Sequence, residues 1–173
     1  MGLQLIFVVE TNKKCKSDWI YIKDTIDRFF SYDLAHVKLN TVYLNGKGNY
    51  RTKEKDISLL ESKYRSTSKD NNSQVFMCLD CDDYDMKSDD MDFLNNAKQY
   101  CKEKGWEFIW FCKDVERVYI GKKVPDGEKK SEATKFKAKK GIELVKKSNL
   151  ASNTYSQNTS NIISVIKKYL EEK

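Results

Sequence analysis

Apolar positions in this chain fall into short unbroken runs that alternate with stretches of helical spacing. Leu3–Val9 is a run of strand length. Residues 17–30 then repeat Trp19, Ile22, Ile26, Phe29 and Phe30 at three-to-four spacing, with Ser17 as the expected N-cap. Residues 37–44 alternate as Val37, Leu39, Thr41 and Tyr43, which predicts a second strand. A turn-rich break at 45–49 leads to a helix over 52–64. The polar stretch 66–73 reads as a loop. Strand 74–80, helix 89–104 ending at Gly105, and strand 106–111 follow. A short helix over 114–120 stops at Gly121, and residues 124–127 form a turn. Helices over 129–147 and 160–171 complete the chain, with a Ser/Asn-rich surface loop at 149–160 between them.

Strand–helix alternation of this kind predicts an α/β fold. The expected sheet is mostly parallel, four-stranded and covered by helices on both faces. Residues 1–121 hold the alternating unit, and residues 122–173 a basic helical extension packed on it. The 173 residues are enough to bury a core without disulfides. The five cysteines are scattered and odd in number, and read as free thiols. Cys78 and Cys81 have CxxC spacing, but no second pair or nearby histidine completes a zinc set. The first apolar run lacks the flanks of a signal peptide and the length of a membrane span, so a cytoplasmic protein without a membrane partner is expected.

Charged residues make up 34% of the chain and the net charge is +6. The imbalance is local. Residues 121–147 are rich in lysine, while residues 80–92 are acidic. An acidic pocket beside a basic surface suits a polyanion held near metal ions, and a solvated lysine-rich helix gives the same composition. The acids sit at strand ends. Leu79-Asp80-Cys81-Asp82 closes one strand, with Asp80 and Asp82 expected on the same face. Glu10 closes the first strand, and Asp114 and Glu116 follow the fourth. Carboxylates converging at strand ends repel one another unless a cation joins them.

A strand ending in glutamate, followed by a later strand ending in DxD, resembles the Toprim fold. Topoisomerases, bacterial primases, recombination mediators and the nucleases of the OLD (overcoming lysogenization defect) and RloB-like families share it. Val8-Val9-Glu10 is similar to the strand-1 glutamate, and Asp80-Cys81-Asp82 to the DxD. In the nuclease branch further acids stand at the first helix and after the fourth strand, and Asp18 and Glu116 resemble them. The resemblance spans residues 3–120. Thr11 replaces the usual glycine, and the gap from Glu10 to Asp18 is longer than usual. The resemblance implies Mg²⁺ or Mn²⁺ held by Glu10, Asp18, Asp80, Asp82 and Glu116, with catalysis by Glu10, Asp80 and Asp82. It also implies a late basic residue near the scissile phosphate, taken as Lys135, with Lys129 and Lys139 as alternatives. A nucleic-acid substrate, a partner ATPase and a phage-defence setting come with it.

An all-oxygen donor set selects magnesium or manganese over zinc. The expected activity is metal-dependent hydrolysis of DNA or RNA phosphodiesters. Two rivals stand beside it: a catalytically degenerate Toprim module that binds nucleic acid, and a magnesium-binding receiver-like domain using Asp80 and Lys113. The lone His36, the Trp106–Phe111 run, Tyr119 and Tyr155 read as structural.

Overall fold

Period-two alternation along the strands sends neighbouring side chains into two separate cores. In the computed structural model, which describes residues 1–173, the chain runs β1 (Leu3–Val9), α1 (Ser17–Phe29), β2 (Phe30–Ser31), β3 (Val37–Tyr43) and α2 (Glu54–Arg65). It continues through β4 (Asn72–Asp80), α3 (Ser88–Lys104), β5 (Glu107–Cys112) and α4 (Val115–Ile120). The last elements are α5 (Lys129–Ala138), β6 (Thr159–Ser160), α6 (Ile162–Ile166) and β7 (Glu171–Glu172). Leu5, Phe7 and Val9 of β1 enter one core, and Ile6 and Val8 the other. The first core is closed by α1, α4, α5 and α6, and the second by α2 and α3.

The sheet order is β3-β1-β4-β5-β6. The first four strands are parallel, as the alternation predicts. The sheet has five strands rather than four, because β6 adds antiparallel to β5 through Phe111–Ser160 and Cys112–Thr159. No apolar run announces β6. The Asn158 amide donates to the Cys112 carbonyl at 2.7 Å, and Asn161 extends the contact, its Oδ1 accepting from the Trp110 amide at 3.0 Å and its Nδ2 donating to the Phe108 carbonyl at 2.9 Å. The side-chain amide thus continues the ladder where the backbone turns into α6.

Most expected elements shift by a residue or two at an end, and three differ in kind. The helix expected over 129–147 stops at Ala138. Lys140 takes a left-handed conformation (φ 53°), and Gly141 lies so close to Phe136 that a Cβ there would fall 2.4 Å from the ring. The helix expected over 160–171 is only Ile162–Ile166. After it, β7 pairs antiparallel with β2 and ties residues 171–172 to the end of α1. Ser17 is the first helical residue and is buried, while Lys16 at φ 55° takes the capping position without a side-chain bond. No helix is long and apolar enough to cross a membrane.

The helix leaving β1 covers one face of the sheet and the helix leaving β4 covers the other. These two strands are neighbours, so the chain reverses its winding between them. A crevice opens at the carboxyl ends of strands at such a point.

Candidate active site

Glu10 follows β1 and Asp80 ends β4, and the parallel register sets Val9 opposite Cys78. Both acids therefore emerge at the winding reversal. The Asp80 amide donates to Glu10 Oε1 at 2.6 Å, and the Val115 amide at the start of α4 donates to Asp80 Oδ1 at 3.0 Å. Asp18 lies in the first turn of α1, and its Oδ2 accepts from the Thr11 amide at 3.2 Å. The longer loop between Glu10 and α1 folds back on itself, with Asn12 Oδ1 accepting from the Lys14 and Cys15 amides, and so returns Asp18 to the crevice. Each of the three carboxylates is fixed at one oxygen by a backbone amide.

Glu10, Asp18 and Asp80 line a cavity of about 350 Å³ together with Asn12, Asp126 and Lys129. Burial, and then the charge of Asp18, lifts the Glu10 carboxyl to about 8. Burial raises Asp18 against the pull of the Thr11 amide and Lys129. Burial, then Glu10 and Asp18, holds Asp80 well above the usual carboxylate range. Glu116 is 1% exposed and does not line the cavity, but burial carries its carboxyl to about 7 and Lys129 opposes the rise. Its Oε1 has no hydrogen-bond partner, and neither do the buried Thr11 Oγ1 and Tyr21 hydroxyl. Tyr21 is raised by burial and then by Glu116, so two of these three orphaned oxygens share one neighbourhood. Buried orphans of this kind call for a partner that the protein does not supply.

The remaining site residues lie outside the cavity lining, although the charge of Asp82, after burial, still raises both Glu10 and Asp80. Asp82 does not share the Asp80 orientation set by strand alternation. The strand ends at Asp80, Asp82 turns to φ 49°, and its carboxylate pairs with Lys47 outside the cavity lining. Lys47, unmarked in its turn-rich sequence, is the cation of this flank. Its Nζ also lies 4.6 Å from the Phe93 ring centroid. Burial works against its charge, yet Asp82 and Glu10 outweigh burial and raise it. The lysine in the cavity is Lys129. Lys135 is exposed and pairs with Glu132 at 3.2 Å. Burial disfavours the Lys129 charge, but Glu116, Asp80, Asp126 and Asp18 raise it overall.

Three other features of the sequence are placed away from the cavity. Cys78 and Cys81 enter opposite cores and cannot share an ion. His36 is exposed and bonded to Asp33 at 2.8 Å. Tyr119 is buried against Thr25. No three His, Cys, Asp or Glu side chains stand close enough together to form a metal cage. The fit to a hard cation rests on the all-oxygen donor set of Glu10, Asp18 and Asp80 and on their one-oxygen tethers. Neither a family model, nor a curated protein, nor a solved structure matches this chain.

Proposed function

We propose that the protein is a metal-dependent nuclease of Toprim type that hydrolyses phosphodiester bonds of DNA or RNA. One observation carries the reading. Glu10, Asp18 and Asp80 meet in a single cavity at the winding reversal, with Lys129 as their counter-charge. Glu10, Asp18 and Asp80 would hold Mg²⁺ or Mn²⁺, with Glu116 beside them. The cation supplies Lewis acidity toward a phosphoryl oxygen. The chain's own residues do the rest. Backbone amides at Asp80, Val115 and Thr11 hold one oxygen of each carboxylate, and closing the set around a cation takes side-chain movement. Lys129, already at the cavity wall, offsets charge that develops on the phosphoryl group. Lys47 holds Asp82 to the flank and lowers the local excess of negative charge. The Toprim resemblance adds a partner ATPase, so the reaction is assayed with and without candidate partners.

Glu10→Ala and Asp80→Ala each remove nearly all Mn²⁺- or Mg²⁺-dependent cleavage, about 10³-fold or more for groups acting as one unit. Asp83→Ala has little effect, because Asp83 is turned toward Lys87 and Lys113. Cleavage by both alanine variants at the wild-type rate sinks the proposal. The lack of a ready-made metal cage favours a second reading, a nucleic-acid-binding module with a degenerate site. Polynucleotide binding without cleavage under any cation or partner selects it.

A further inference from the structure

A second concavity, with no part in the chemistry above, adjoins the carboxylate cavity. The end of β3 forms one wall and α2 the other, with a volume of about 430 Å³. The loop between β1 and α1 joins the two hollows: Lys13 lines the groove, and its neighbours Asn12 and Cys15 line the cavity. Tyr43 lines the groove and packs against the first core, to which α1, the helix of Asp18, also belongs.

The groove has a particular chemistry. Lys13, Lys53 and Lys63 come from three separate positions and face one acid, Asp56. Lys13 and Lys63 make no ion pair, and Lys53 reaches Asp56 only at 3.8 Å. Tyr43 and Leu59 line the same groove, Tyr43 also packing against the first core, and Leu59 is 68% exposed. Apolar side chains beside lysines in one groove match a ligand with flat apolar faces and a row of anions. A single strand presents both, bases to the apolar groups and phosphates to the lysines. A duplex stacks its bases inward and offers mainly phosphates, which leaves Tyr43 and Leu59 uncovered.

We propose that this groove binds single-stranded nucleic acid and leads it over the Lys13 loop to Glu10, Asp18 and Asp80. The proposal rests on the nuclease reading for the purpose of the track, but strand binding is measurable without cleavage. The test is fluorescence anisotropy in EDTA, with labelled oligothymidylate, oligouridylate and a DNA hairpin duplex. Wild type binds the single strands more tightly than the hairpin. Combined Lys13→Gln, Lys53→Gln and Lys63→Gln weakens single-strand binding about ten-fold or more. It also makes the log–log salt slope shallower by about 2, from ~0.7 for each lost phosphate contact. Leu59→Ser and Tyr43→Leu weaken single-strand binding and leave the salt slope unchanged, which separates the apolar contacts from the charged ones. The altered side chains are exposed or at the groove wall, and circular dichroism checks the fold of each variant. If the groove triple binds as wild type while Lys135→Gln, Lys139→Gln and Lys140→Gln together lose binding, the track lies on α5 and the proposal is overturned. Hairpin bound as tightly as single strand, with no effect of Leu59→Ser or Tyr43→Leu, also overturns it. Wild type that binds no polynucleotide removes the nuclease reading itself, and the groove proposal with it.

Discussion

Backbone amides tether one oxygen each of Glu10, Asp18 and Asp80, and these carboxyls are raised by burial and then by one another's charge. That crowding has a pH signature. Glu10 titrates near its ordinary 4.5 when unfolded and near 8 when folded. Below the lower value both states hold the proton, and the favourable contribution to stability is complete. As pH climbs toward the upper value, the folded state keeps a proton that the unfolded state releases, and stability falls. Thermal melts in EDTA should therefore show declining stability from pH 4.5 to 8, with a shallower decline in Glu10→Gln. Millimolar Mg²⁺ or Mn²⁺ should recover several degrees at pH 8 in wild type, since a ligand of the folded state alone stabilises it. Equal pH slopes for wild type and Glu10→Gln would remove the crowding argument. At this scale the strand-end position of Glu10 and Asp80 was legible, because an apolar run stopping at an acid marks both. Asp82 was not, because its left-handed backbone breaks the alternation on which its orientation was read. Lys47 carries no signal in its own turn, and Lys129 differs from Lys135 only through where α5 packs.

Elements were legible in proportion to their apolar periodicity. β1, β4 and β5 bury both faces and read as continuous runs, while α1 through α3 each show a helical stripe. β6 and β7 have two residues each, too few for a period to exist. Their pairing is decided by distant partners, Asn158 and Asn161 against β5 among them. Asn161→Ala leaves the Trp110 amide and the Phe108 carbonyl without that partner. The expected cost is about 2 kcal/mol, within the range for a buried polar group left unsatisfied. In urea the midpoint should fall with an unchanged slope, and the Trp110 amide should exchange faster with solvent. Unaltered Trp110 exchange would show that β6 holds the edge of the sheet without the side chain.

For the molecule as a whole, residues on both sides of position 121 fill one core. Tyr21, Ile22, Phe76 and Phe111 pack in the same cluster as Phe136, Ile142, Ile162 and Ile166. Tyr21 stacks on Tyr119 at 5.0 Å between ring centroids and meets Phe136 edge-on at 5.0 Å. Large buried side chains of this type contribute roughly 1.5–3 kcal/mol each. A fragment of residues 1–121 should therefore remain poorly packed, with weak near-ultraviolet dichroism and binding of apolar dyes. Adding residues 122–173 as a separate chain should restore the signal if association replaces the covalent link. A fragment that melts cooperatively by itself would show that the first core closes without its later half. The lateness of these residues also matters during synthesis. The face of the sheet that receives α5 and α6 leaves the ribosome before its cover does. At ~5–20 residues per second the gap lasts seconds, longer than elementary collapse steps. Throughout that interval a nascent chain displays bare aromatic surface, so its yield in a cell should depend on chaperone supply more steeply than its equilibrium stability would indicate.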